Sequence, residues 1–373
     1  MNEKKTVIVL ILLATFLPQA YSEMDFTIPP NFSFCGEPLP LDRDDILERI
    51  DTQLRLHTRN MGQVELWFKR KHRYFPYIES VLTANNLPDD LKYIPVIESS
   101  LQNTAVSPKS AVGPWQFIAS TARLYDLNVN QSIDERRDLI KSTQAALRYL
   151  KSLYDEFDHW STAMAAYNIG ENRIRQECYH QGTSDYFEMV LPYETDRYVP
   201  NIIAAKIILE NPDHFGIDPI KLEAYNDPES VPVTLTFTSD FPAKVLAYLS
   251  GVSYRGFRSL NPSYIGVNIP PGTRTMTIPK SHRENLEARI EQYRKKAGDL
   301  VKFHRSPAKS VVAEEAFLRI GPGNEYPVFR KLSKGTSFKA DARTATKDQG
   351  EYWYLFIQKN GAGGWIWGGQ LND

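Results

Sequence analysis

Near residue 228 the apolar residues change their period, and a chain that does so cannot fold as one uniform unit. Before that point they recur at helical spacing. Ile46, Ile50, Leu54 and Leu66 stand among many charges, and from Pro88 to Asn211 the helical pattern is broken only by short turns. Residues 143–157 and 196–209 lack internal glycine and proline apart from Pro200, which falls in a first helical turn where proline is tolerated. After residue 228, Val231, Val233, Leu235 and Phe237 alternate with Pro232, Thr234 and Thr236, the period of a half-buried strand. A length of 373 residues calls for two or three domains at roughly 100–200 residues each.

The expected fold class is multidomain α+β. Residues 1–22 read as a signal peptide: Lys4 and Lys5 precede an uncharged run over 7–17, followed by Ala20-Tyr21-Ser22. That run is short for a membrane span of ~20 residues, so an exported mature chain is expected to begin near Glu23, with an uncleaved anchor as the alternative. Residues 23–74 form a proline-rich linker and helices, and 75–215 an all-α domain. Residues 228–297 form a small α+β unit whose charged helix over 281–296 reads as a spacer. In 308–373, strand-forming runs such as Trp365-Ile366-Trp367 lie between turn clusters such as Gly321-Pro322-Gly323-Asn324, the texture of a small β-barrel.

Charge narrows the partners. Net charge is −1, which gives no global argument for nucleic acid, and none is expected as a partner. The first 230 residues carry 23 basic and 33 acidic groups, and the remainder 21 and 12. The basic rear half either faces an anionic polymer or is an ordinary solvated surface. Two cysteines, Cys35 and Cys178, could pair in an oxidising compartment, and the sequence leaves this open. No Cys/His cluster has ligand spacing, so neither a metal nor a cofactor is expected.

The chemistry centres on Glu98. Leu91, Ile94, Glu98 and Leu101 fall on one helical stripe, three apolar and one acidic. Such a carboxylate is either desolvated, which raises its pKa as a general acid requires, or reaches water from a helix end. Residues 99–125 contain no Asp or Glu. They read as a polar, nearly uncharged loop running into a helix, with Pro114 at its first position and Gln116 in its first turn. Ala166-Tyr167-Asn168-Ile169-Gly170 ends an apolar helix at a glycine cap, and residues 193–200 begin another.

Together, Glu98-Ser99, Gly113-x-x-Gln116, Ala166-Tyr167-Asn168-x-Gly170 and Tyr198 in a Glu-Thr-x-x-Tyr-Val setting resemble the four ordered motifs of the soluble-lytic-transglycosylase-type catalytic domain, glycoside hydrolase family 23. The wording is nearest to the membrane-bound lytic murein transglycosylase D branch. Trp115-Gln116-Phe117 stands where some relatives carry Met-Gln-Ile. The resemblance covers about residues 75–215 and implies a lysozyme-like helical fold. It also implies Glu98 as acid/base and Ser107 near a substrate N-acetyl group. Gly113, Gln116, Tyr167 and Asn168 would line the cleft, and Tyr198 would sit beside the glutamate.

What it implies about mechanism follows from one acid serving twice. A glycosidase ordinarily needs two carboxylates. Here Glu98 would protonate the bridging oxygen between MurNAc and GlcNAc of peptidoglycan. It would then take the proton of the MurNAc C6 hydroxyl, which closes a 1,6-anhydro ring. Asp126 or Asp158 could still approach in space and supply a second acid. A lysozyme-type hydrolase and a non-catalytic wall-binding scaffold are the competing readings. In the rear half, Leu318-Arg319-x-Gly321-Pro322, Trp353-Tyr354 and Gly364-Trp365-Ile366 resemble the bacterial SH3-like domain, implying a wall-peptide or protein ligand. Gly251-Val252-Ser253 and Leu260-Asn261-Pro262 partly resemble a LysM segment.

Overall fold

The computed structural model describes residues 24–28, 32–225, 228–298, 300–302, 307–345, 347–357 and 363–372. The expected signal peptide lies outside the described residues.

The front half is helical: α1 (Asp44–Thr58), α2 (Met61–Ala84), α3 (Ile94–Ser99), α4 (Ala119–Leu124), α5 (Leu139–Phe157), α6 (Trp160–Ile169), α7 (Glu171–Gln181), α8 (Tyr193–Asp196) and α9 (Tyr198–Glu210). In α1 the i, i+4 stripe of Ile46, Ile50 and Leu54 is buried. In α2 the buried face is Val64, Trp67 and Phe68, with Leu66 at its margin. The sequence of α9 is apolar on nearly every side, so the helix must lie inside. It packs against α1, α3 and α6, and one core runs from Phe34 to Ile217 around it.

The rear half opens with β1 (Ser230–Phe237), β2 (Phe241–Pro242), α10 (Ala243–Leu249), α11 (Tyr254–Leu260), β3 (Asn268–Ile269), β4 (Gly272–Pro279) and α12 (Leu286–Ala297). β1 and β4 pair antiparallel, Ser230 opposite Pro279 and Phe237 opposite Gly272. The helix expected as a spacer is not one. Leu286, Ile290, Tyr293 and Ala297 of α12 form a buried stripe in the core with Leu235 and Phe237.

The end of the chain contains β5 (Leu300–Lys302), β6 (Ala308–Ser310), β7 (Glu315–Arg319), β8 (Val328–Ser333), β9 (Ser337–Lys339), β10 (Ala342–Thr344), β11 (Trp353–Ile357) and β12 (Gly363–Trp367). Six of these make an antiparallel sheet in the order β5-β10-β11-β12-β7-β8, and β6 pairs with β9 separately. The expected barrel does not close among the described residues. Closure gives every strand two neighbours, whereas β5 and β8 remain edges. Trp353 and Trp365 are core residues and share a cluster with Phe241 and Tyr293 of the preceding unit. The coarse architecture is thus multidomain α+β, a helical front with a separate β-rich rear. Cys35 and Cys178 are free thiols.

Candidate active site

Helix α3 is six residues long because Ser100 and Leu101 turn left-handed, at φ 53° and 56°. That abrupt end leaves Glu98 in the last turn, half-buried. The apolar residues of its stripe are all buried, although not on one helix. Leu91 sits in the preceding 3-10 turn (Asp89–Tyr93), and Leu101 lies past the end of α3.

Tyr198, the first residue of α9, is buried, and its hydroxyl donates to Glu98 Oε1. Burial pushes the Glu98 carboxyl up to about 7. The Tyr198 hydrogen bond opposes that rise by favouring the ionised form, and the negative charge of Glu194 adds to it. Glu98 opens on a cavity of about 340 Å³ walled by Ile97, Asn168, Tyr193, Glu194, Arg197, Tyr198 and Asn201. Asn168 is held there because its Oδ1 accepts from the buried Thr195 hydroxyl at 2.9 Å, tying the end of α6 to α8.

Tyr167 lies beside this cavity. Its hydroxyl donates to the Trp115 carbonyl at 2.7 Å. Burial, and then the nearby Glu98 charge, hold its phenol well above the usual range. Its ring packs on Tyr149 at 5.4 Å, and Tyr149 packs on Tyr125 at 5.0 Å.

The segment around Gly113 and Gln116 is a turn, not the helix start expected. Gly113 has φ 88° and Gln116 φ 49°, values a right-handed helix excludes. The turn brings the Val112 amide to the Phe117 carbonyl at 3.0 Å, and α4 starts only at Ala119. A Cβ at Gly113 would stand 1.8 Å from the Arg136 carbonyl oxygen, so glycine is required on two counts. Arg136 clamps the turn. Its guanidinium donates to the carbonyls of Phe117 and Ser110, each at 3.1 Å, and grips both Asp134 oxygens, at 2.8 and 2.9 Å. The Gln116 amide folds back onto the Gly113 carbonyl at 2.8 Å. The Ser99 hydroxyl donates to the Pro114 carbonyl at 2.9 Å, which joins the turn to α3. The Ser107 hydroxyl accepts from the Ala111 amide at 3.1 Å and so organises its own loop.

Glu98, Asn168 and Tyr198 therefore share one cavity, with Tyr167 against it. Ser107, Gly113 and Gln116 form the adjoining loop. Glu194 stands in the motif around Tyr198 with no role expected of it, yet it is the second carboxylate of the cavity. It is exposed, and Lys109 Nζ lies 3.3 Å from it. Asp126 and Asp158 are exposed left-handed residues at helix ends, and neither lines the cavity. Among the described residues no group of His, Cys, Asp and Glu could hold a metal ion.

Residues 76–190 match the family model of the transglycosylase SLT domain. The matched segment contains Glu98, Ser107, Gly113, Gln116, Tyr167 and Asn168, while Tyr198 lies beyond its end. The chain is 29% identical over 261 residues to membrane-bound lytic murein transglycosylase D of Escherichia coli K12, covering 68% of this chain and 57% of that protein. It is 38% identical over 122 residues to an Alteromonas sp. M-1 protein named for tributyltin chloride resistance, covering 32% of this chain and 58% of that one. The chain thus spans little more than half the length of these curated relatives. Among solved structures, the 70 kDa soluble lytic transglycosylase of E. coli aligns at 20% identity and a TM-score of 0.34, over 47% of this chain and 31% of that one.

Proposed function

We propose that this chain is a peptidoglycan lytic transglycosylase in which Glu98 acts first as acid and then as base. The supporting observation is the environment of Glu98: a carboxyl raised to about 7 by burial and oriented by the Tyr198 hydroxyl. Near neutral pH a sizeable share of it is protonated and able to donate, and the donation itself leaves the carboxylate that accepts in the second step, so one group serves both halves of a turnover. Protonation of the glycosidic oxygen releases GlcNAc, and the substrate N-acetyl group stabilises the cationic C1. The carboxylate then takes the C6 hydroxyl proton as that oxygen closes on C1. The cleaved strand ends in 1,6-anhydro-MurNAc.

A hydrolase is the second reading, because Glu194 lines the same cavity and could activate water. Mass spectrometry of digested peptidoglycan separates the two. Anhydro ends, each lacking one water, support the transglycosylase, and reducing ends alone support the hydrolase.

The rest of the chain fits work at the cell envelope. Residues 1–22 would direct export, 23–74 would lead into a lysozyme-like catalytic unit over 75–215, and 228–297 would form a LysM-like unit. Residues 308–373 would form an SH3-like module for a wall peptide or protein. The basic excess after residue 230 suits an anionic wall polymer. Among the described residues no helix is long and apolar enough to cross a membrane.

A further inference from the structure

We infer that Tyr193 is a stacking shelf for a pyranose ring of the glycan strand, a subsite at the rim of the Glu98 cavity. The inference rests on the glycan reading above and extends it to a residue that the four-motif resemblance does not assign.

Tyr193 is the first residue of α8 and is 75% exposed, although it lines the cavity that holds Glu98. A large aromatic left in water is ordinary when it stands alone. This one does not, because the Arg197 guanidinium carbon lies 4.6 Å from its ring centroid. A cation against one face fixes the ring's orientation, since the guanidinium is drawn to the negative π surface. The exposure leaves the remainder of the ring to the cleft. The segment is itself anchored: Arg49 of α1 pairs with Asp196 at 3.2 Å, and Thr195 bonds Asn168. The shelf is therefore preorganised, which lowers the cost of binding.

A flat, oriented aromatic surface beside polar groups suits a sugar. A pyranose ring offers a face of C–H bonds to the π surface while its hydroxyls point sideways, here toward Glu194 and Asn168. Tyr179 makes the contrast. It is 86% exposed, but its ring meets His180 alone among the described residues, and it does not line the cavity.

The test uses the full chain with two readouts. In the Glu98→Gln background, calorimetric titration with a soluble GlcNAc oligomer measures binding without turnover. Adding Tyr193→Ala should weaken that binding about tenfold, whereas Tyr193→Phe should bind as the parent does. With Glu98 intact, Tyr193→Ala should raise KM on long glycan strands more than on short ones, with the loss falling mainly on KM. Equal binding by the Ala variant overturns the shelf, as does an equal loss in the Phe variant or a parent that binds no oligomer. The chemistry fails separately: a chain that binds glycan but yields no anhydro ends keeps the shelf and loses the transglycosylase.

Discussion

The Tyr198 hydroxyl, at the first residue of α9, donates to the Glu98 carboxylate at the end of α3, 100 residues earlier in the chain. Two elements distant in sequence thus meet at one proton-carrying group. The hydrogen bond and the burial act in opposite directions on that group, and burial wins, leaving the carboxyl near 7.

Replacing Glu98 by Gln keeps the side chain's shape and removes its acid. Turnover of purified peptidoglycan should fall at least ~10²–10⁴-fold, the usual worth of a general acid–base group. Circular dichroism should be unchanged. An active Gln variant would remove Glu98 from the chemistry.

The raised carboxyl also sets a pH dependence. The acid must be protonated, so kcat/KM should fall about tenfold per pH unit above about 7. Stability follows with the sign of a raised carboxylate. Between the ordinary value of 4.5 and about 7 the folded chain holds a proton that the unfolded chain has lost, so stability declines as pH rises through that window. By pH 8 the buried charge costs on the order of 3 kcal/mol. Glu98→Gln should therefore melt higher than the parent at pH 8 and alike at pH 4, as differential scanning calorimetry would record.

Tyr198→Phe deletes the interaction that favours the ionised glutamate. The alkaline limb of the pH–rate profile should move to higher pH. Activity at the optimum should drop about ten- to a hundredfold, the worth of a hydrogen bond to a charged group. A limb that stays in place would mean that the two side chains do not interact in solution.

Much of this was legible in the sequence because periodicity reports burial. The stripe of Ile46, Ile50 and Leu54 and the alternation of Val231 to Phe237 both became core faces. Positions governed by backbone sign and distant partners were not legible. Pro114 looked like a helix start, but Gly113 and Gln116 have positive φ, and the clamp that sustains the turn comes from Arg136. The α12 helix looked like a charged spacer because its buried stripe is sparse, and the residues it packs with, from β1 to α10, lie about 40–60 positions earlier in the chain. Tyr193 and Glu194 had no role in the motif around Tyr198, and only the meeting of α3, α6 and α8 makes them walls of a cavity.

Gly113→Ala should be much more disruptive than a glycine's size suggests. Its Cβ would meet the Arg136 carbonyl at 1.8 Å, on backbone already at φ 88°. A loss above about 3 kcal/mol is expected, since strain and a clash with backbone combine. Gly182→Ala is the control: φ is 70°, with no atom within 4 Å of the added carbon. That variant should lose only about 1–2 kcal/mol from the left-handed backbone. Equal urea-denaturation losses in the two would mean that the clash relaxes without cost.

Glu194→Gln decides between one carboxylate and two. Glu194 lines the cavity, but it is exposed and lies beside Lys109, whereas a second catalytic carboxylate must act as the nucleophile or activate water opposite the acid. If Glu98 works alone, Glu194→Gln should keep activity within about tenfold, well short of the ~10²–10⁴ lost with a general acid–base group. Its digests should still end in anhydro-MurNAc. Removing the neighbouring negative charge should also lower the Glu98 pKa, because that charge now disfavours ionisation. The alkaline limb should then shift to lower pH, opposite to the shift expected for Tyr198→Phe. A Glu194→Gln protein as inactive as Glu98→Gln would instead identify a two-carboxylate enzyme.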